Sequence, residues 1–208
     1  MSITDEVQAA KQAHPDHPVH SLVTKRWSPY GFSDRPVAPE DLRSLFEAAR
    51  WAPSSFNEQP WSWIVATKDD APAFARLLSC LADGNQVWAR HAPALALGLV
   101  RERLRRNDKP NAAAEHDLGL AAGNLLLEAT ARDLVVHQMI GILPERAREL
   151  YALPAGVHAL TGYAIGYLGD GAGLPERVRD RDRAARTRRP LAESVFGERW
   201  GDPAHLVR

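Results

Sequence analysis

From His116 to Leu134 the sequence HDLGLAAGNLLLEATARDL is apolar on nearly every side of a helix, and no other segment restricts the fold as tightly. A helix that is apolar all round has to be covered all round. Gly119 and Gly123 interrupt it, so another backbone can approach closely. In a chain of 208 residues, part of that cover is expected from a second subunit.

The segments around this helix read as strands and helices in alternation. Trp61 to Thr67 (WSWIVAT) is rich in β-formers and Ala92 to Val100 (APALALGLV) is an almost continuous apolar run, so both predict interior strands. Leu160 to Leu168 (LTGYAIGYL) predicts a third. Pro39, Glu40 and Asp41 start a helix, with Pro in the first turn and acids at the positive end of the macrodipole. Leu42, Leu45, Phe46 and Ala49 give that helix one buried stripe, ending near Pro53. A further helix is expected over about Pro72 to Leu81. Strands interleaved with helices indicate an α/β or α+β sandwich. Residues 1–20 form a polar helix ending in a His/Pro segment, and residues 21–208 a single domain that includes an extended arm from about residue 170.

Charge and cysteine count exclude several classes of function. Lys plus Arg and Asp plus Glu are 26 each, so no bulk attraction to nucleic acid or anionic membrane is expected and any basic site must be local. That local site is visible: from Glu176 to Arg189 there are seven arginines against three acids, read as an extended basic arm with a solvated stretch over Arg177 to Arg183. A single Cys80 leaves no disulfide framework or multi-cysteine metal site and suits a reducing compartment. The polar N-terminus has no secretory core and no run approaches a membrane span, so a cytoplasmic location is expected. His14, His17 and His20 are interrupted by Pro15 and Pro18 and lack acidic partners, so no metal site is read there.

Two short segments carry candidate chemistry. In KRWSPYGF, Arg26 and Ser28 offer a guanidinium fork and a hydroxyl suited to a phosphate. In PSSFNEQPW, two prolines stiffen a loop that presents hydroxyls, amides and a ring at a helix end, where Trp61 or Trp63 also serves the core. His137 is read as a packed side chain sooner than a proton donor.

The run RPVAPEDLRSLFEAARWAPSSFNEQPWSWIVAT resembles the signature segment of the nitroreductase family, preceded by RWSPYGF. NQVWARHAPALALGLV, DLGLAAGNLLLEATARDLVVHQMIGI and RTRRPLAESVFGERWG are similar to its later segments, in order, so the resemblance spans about Thr24 to Gly201. It implies an α+β fold: a three-layer α/β/α sandwich with a mainly antiparallel central sheet and a C-terminal arm exchanged between the subunits of a homodimer. It also implies FMN at the interface and NAD(P)H as electron donor. Arg26, Trp27 and Ser28 would hold the phosphate side of FMN together with Arg186 and Arg188, with Tyr30 also against the cofactor. Pro53, Ser54, Ser55 and Asn57 would reach the FMN of the other subunit, and Asn85 its pyrimidine edge. Gln138, Met139, Ile140 and Gly141 would follow the ring, with the Ile140 and Gly141 backbone near N5 and O4. Phe56 and Trp88 would line the acceptor pocket with the region Arg101 to Asn111. No acid or base of the protein is required to touch the reacting atoms, because hydride passes through the cofactor.

Two positions depart from the family pattern. Tyr30 and Trp88 stand where relatives carry cations near the part of the flavin that gains negative charge on reduction, so the flavin here should be a poorer oxidant unless Lys25 or an arginine compensates. Competing readings are a related flavoprotein that reduces alkenes or removes halogens, and a non-catalytic module that uses the arginine arm for nucleic acid or an acidic partner.

Overall fold

The computed structural model describes residues 2–207. Its elements run, in chain order, α1 (Ile3–Ala10), α2 (Ser21–Lys25), α3 (Pro39–Arg50), β1 (Trp61–Thr67), α4 (Ala71–Leu78), α5 (Asp83–Ala89), β2 (Ala94–Arg101), α6 (Ala114–Ala131), β3 (Val135–Met139), α7 (Pro144–Tyr151), β4 (Val157–Gly166) and α8 (Glu176–Arg183). The strands pair antiparallel in the order β1-β2-β4-β3. β1 is therefore an edge strand, not the interior strand its composition predicts, and Ser62 and Val65 are exposed on it.

The alternation of side chains along β2 divides the core in two. Leu95, Leu97 and Leu99 point into a cluster with Phe74 and Leu77 of α4, Trp88 of α5 and Ala147 of α7. Ala94, Ala96 and Val100 point the other way, against Leu118, Ala121, Ala122 and Leu125 of α6, with Leu45 and Ala49 of α3 outside them. Small residues on that face let α6 lie close to the sheet. Gly98 is the tightest point, since a Cβ there would meet Tyr163, Leu118 and Trp63 at 3.1–3.3 Å. The result is an α+β sandwich with helices on both faces of an antiparallel sheet. Its hydrophobic clusters account for most of the favourable burial in a fold of this size.

The C-terminal region differs from the expected extended arm. Glu176 to Arg183 is helical. Glu176 lies at its positive end and Arg181 and Arg183 at its negative end. Val178 and Asp182, one turn apart, are both buried. Only from Ala184 does the chain extend. α1 packs on α8 of its own chain, with Val7 buried and Lys11 Nζ donating to the Arg181 carbonyl at 2.6 Å.

Candidate active site

At one end of the sandwich, α2 stops at Lys25 and delivers Arg26, Trp27 and Ser28 in extended conformation. Arg26 Nη1 donates to Ser28 Oγ at 3.4 Å, while the buried Trp27 indole lies under Lys11 Nζ, 5.3 Å from the ring centroid. Arg186 reaches across from the segment after α8. Its Nη1 donates to the Arg26 carbonyl at 2.6 Å and its Nη2 to the Thr24 carbonyl. Arg26 is pushed below the ordinary arginine range by burial and then by Arg188; Arg186 is pushed the same way by burial, then by Arg26 and Arg188. None of the three forms an ion pair among the described residues, and the buried Arg186 Nε has no hydrogen-bond partner there. Three cations drawn together without a counter-ion form a site built for an anion.

Asp182 fixes the next two residues of this segment. Its carboxylate accepts the Tyr30 N–H at 2.9 and 3.0 Å and the Gly31 N–H at 2.8 Å. Burial raises its pKa, opposed by these hydrogen bonds and by Lys11. The Tyr30 hydroxyl accepts from Arg181 Nη1 at 3.1 Å, with the guanidinium carbon 5.6 Å from the ring centroid. An arginine from α8 thus stands beside position 30, which lacks a cation of its own.

Trp88 does not join Phe56 at a cleft. It is 2% exposed, with Tyr30 edge-on at 5.1 Å, Phe32 stacked at 6.4 Å and His137 tilted at 4.4 Å. Its place is therefore beneath the site: Nε1 donates to Asn85 Oδ1 at 3.2 Å, and Asn85 Nδ2 donates to the Gly141 carbonyl at 2.8 Å. His137 is packed, as its apolar setting predicts. Its Nδ1 is 2.9 Å from the Pro29 carbonyl, which can only accept, so a neutral ring carries its proton on Nδ1. Beyond the last ladder pair, Met139 with Gly162, the chain turns at Ile140, which is 71% exposed, and the Ile142 N–H folds back to the Ile140 carbonyl at 2.7 Å. Gln138 on this edge strand is exposed and Met139 is buried.

The loop from Pro53 to Trp61 is held by more than its prolines. Phe56, Asn57 and Gln59 have φ of 54°, 56° and 47°, the left-handed region that non-glycine residues reach at a cost of about 1–3 kcal/mol each. Three contacts hold that strain. The Ser55 N–H donates to Asp117 Oδ2 at 3.1 Å, the Gln59 N–H to Ser54 Oγ at 3.0 Å, and Gln59 Nε2 to Asn57 Oδ1 at 3.1 Å. Buried Glu58 then ties the loop to the 101–111 region, accepting the Arg105 N–H at 2.6 Å and lying 3.5 Å from Arg106 Nε. Phe56, 71% exposed, has the Arg106 guanidinium 3.7 Å from its ring centroid.

Asp117, Glu58, Asp182 and Arg181 were not among the expected site residues. Asp117 lies in the first turn of α6 beside Glu115, an ordinary place for an acid, so the sequence does not single it out. Pro53 to Asn57 and the Arg26 cluster belong to separate regions of one chain: the loop follows α3 at the β1 end of the sheet, and the arginines follow α2 and α8. Among the described residues no group of three or more His, Cys, Asp or Glu could hold a metal, and no helix is long and apolar enough to cross a membrane.

The helix-flanked antiparallel sheet is shared with solved proteins of the nitroreductase family. The chain belongs to the nitroreductase family, whose model matches residues 23–167. A crystal structure described as an oxidoreductase containing FMN superposes with a TM-score of 0.85 at 33% identity, over 91% of this chain and 96% of that one. A nitroreductase family protein from Clostridium difficile 630 gives a TM-score of 0.66 at 25% identity, over 86% and 96%. A Leptothrix cholodnii protein with the provisional name NADH dehydrogenase/NAD(P)H nitroreductase is 29% identical over 181 residues, 77% of this chain and 89% of that protein.

Proposed function

We propose that this protein is a homodimeric FMN-dependent oxidoreductase that takes electrons from NAD(P)H and passes them to a small electron-poor acceptor, a nitroaromatic, a quinone or a similar compound. The observation that carries the reading is the unpaired trio Arg26, Arg186 and Arg188 with the orphaned Arg186 Nε. A dianionic phosphate supplies the missing charge and acceptors, so the donor set fits the phosphate of FMN. Family membership and the FMN named for a similar structure support the same cofactor.

In this reading Trp27, Ser28 and Tyr30 continue the contact from the phosphate toward the ring. Asn85, held by Trp88 and Gly141, addresses the pyrimidine edge, and Gln138, Met139, Ile140 and Gly141 run beside the ring with backbone N–H groups near N5 and O4. Pro53, Ser54, Ser55 and Asn57 serve the FMN of the other subunit. The α6 face that holds exposed Gly119 and Leu120 and half-buried Gly123 supports that assembly, since a Cβ on either glycine would meet nothing within 4 Å outside its own helix. Arg181, on the Tyr30 hydroxyl, supplies positive charge where position 30 lacks it. The lone buried Cys80 suits a reducing cytoplasm.

FMN, when bound, supplies two-electron hydride chemistry at a single face that donor and acceptor occupy in turn. For a nitro compound the balance is NAD(P)H, one proton and ArNO2 giving NAD(P)+, ArNO and water. The protein's part is to bind, orient and stabilise developing negative charge with fixed N–H donors. Donor and acceptor sharing one face leads to ping-pong kinetics.

The test is anaerobic mixing of the yellow holoprotein with NADH or NADPH, followed by addition of acceptors. Bleaching and recovery of the flavin absorbance are expected. A colourless protein that gains no absorbance from added FMN would sink the proposal.

A further inference from the structure

The strained loop and the 101–111 region border an open cavity of about 620 Å³ lined by Arg50, Phe56, Asn57, Glu58, Arg105 and Arg106 among others. Its charge is unbalanced. Arg50 is paired with Glu47, which lies outside the lining. The only carboxylate inside is Glu58, already engaged by the Arg105 N–H and by Arg106 Nε. The Arg105 guanidinium has neither an ion pair nor a hydrogen bond among the described residues. Beside it stands a flat surface, the exposed Phe56 ring with the Arg106 guanidinium 3.7 Å from its centroid. The backbone beneath that surface is tethered on either side of Phe56, which has a positive φ: the Ser55 N–H donates to Asp117 and Glu58 accepts the Arg105 N–H.

We infer that this cavity binds aromatic carboxylates, the ring stacking on the Phe56–Arg106 pair and the carboxylate meeting Arg105. Guanidinium presents parallel donors matched to a carboxylate and stacks on π-systems, so both halves of such a ligand find a partner. Glu58 has a second effect. By occupying Arg106 it leaves Arg105 as the free cation, which directs the anion to one end of the cavity. The inference rests on the oxidoreductase reading in one respect: it takes the loop beside Phe56 to border the flavin, which makes an aromatic acid that bears a reducible group, such as a nitro group, the acceptor.

Calorimetric titration of the holoprotein with benzoate and with benzamide, neither of them reducible, separates the two ideas. Benzoate should bind about tenfold tighter than benzamide, the worth of one charge-assisted contact. The preference should shrink at high salt and nearly vanish in Arg105→Gln, with Arg105→Lys restoring part of it. In turnover, 4-nitrobenzoate should then outperform nitrobenzene in kcat/KM by a similar factor. Equal binding of benzoate and benzamide by the wild type overturns the inference, even if the protein reduces neutral nitro compounds well. An Arg105-dependent preference for NADPH over NADH without a benzoate preference also overturns it, in favour of a dinucleotide phosphate. Tight, salt-sensitive benzoate binding by a protein that reduces nothing upholds the cavity's specificity and removes the oxidoreductase reading instead. The salt dependence of the wild type keeps the test valid if Arg105→Gln fails to fold.

Discussion

Asp182 closes on Tyr30: both oxygens of its buried carboxylate lie within 3.0 Å of the Tyr30 amide nitrogen, and one also takes the Gly31 N–H at 2.8 Å. A helix near the C-terminus thereby sets the backbone of the segment that follows Ser28. Asp182→Ala would leave two buried N–H groups without an acceptor, a loss of about 1–3 kcal/mol. Thermal unfolding should drop accordingly, and FMN affinity should fall with it, by about two- to tenfold if half of that energy appears at the site. Because burial raises the Asp182 pKa, its contribution is full below 3.8, its unfolded value, and declines as pH rises through the folded one. Asp182→Asn keeps a carbonyl acceptor without the buried charge, so it should lose less stability than Asp182→Ala at neutral pH. Equal losses would show that charge, not hydrogen bonding, holds Tyr30.

His137 makes acid stability a local question. Burial holds its pKa below 6.5, outweighing the opposite pull of the Pro29 carbonyl, and His91 is lowered chiefly by burial and then by Lys68 and Arg90. Both bind protons more readily when unfolded. Their stabilisation is present above pH 6.5 and is lost as pH falls through the depressed folded values. Each contributes a slope of up to about 1.4 kcal/mol per pH unit in that window. His137→Gln removes one titrating group and keeps an N–H for the Pro29 carbonyl, so urea unfolding between pH 6.5 and 5 should show a shallower decline than wild type. Parallel profiles would mean His137 carries no such linkage.

Much of the frame was legible because periodicity is local. WSWIVAT matches β1 residue for residue, Pro39 with its acids marks α3, and the apolar run from Ala92 to Val100 is β2 within two residues. β3 was hidden because five residues directly after a long helix leave no separate pattern, and α7 because only Ala147 of it is buried. α8 was misread for a physical reason: its inward face is one valine and one aspartate, and arginine-rich composition without apolar residues reads as solvated chain. The site divides in the same way. Arg26, Ser28 and the Pro53 to Trp61 loop stand out as segments, whereas Glu58 meets Arg105 and Asp117 meets Ser55 across 47 and 62 residues, distances at which sequence carries no pairing signal. Trp88 looked like a cleft residue because only the fold reveals the Tyr30, Phe32 and His137 rings that cover it.

Gly141 tests the turn after β3. A Cβ there would overlap the Asn85 amide nitrogen, which donates to the carbonyl of that same glycine. Gly141→Ala should therefore turn the Asn85 side chain away and break its link to Trp88 Nε1. The expected result is FMN bound at least about tenfold more weakly, together with a shifted flavin absorbance spectrum, while the fold survives because Ile140 and Gly141 themselves are exposed. Unchanged flavin binding would detach Asn85 and Gly141 from the cofactor.

The α6 glycines give the sharpest test of assembly, because solvent and a partner predict opposite signs. Each glycine within a helix costs about 1 kcal/mol relative to alanine, and at Gly119 and Gly123 nothing outside the helix itself stands within 4 Å of an added methyl. If that face met water, the double variant Gly119→Ala, Gly123→Ala would gain about 1–2 kcal/mol. If a second copy of α6 closes on it, the added methyls hold the two backbones apart and the gain turns into a loss. Sedimentation across a protein dilution series should then show the variant dissociating at concentrations where the wild type is dimeric, and FMN release should follow because the Pro53 to Asn57 loop leaves with the other subunit. A more stable variant with unchanged assembly and bound FMN would move the interface elsewhere. The two glycines would then have no role in the chain to offset their cost, and a helix apolar on every side would lack the cover that its sequence requires.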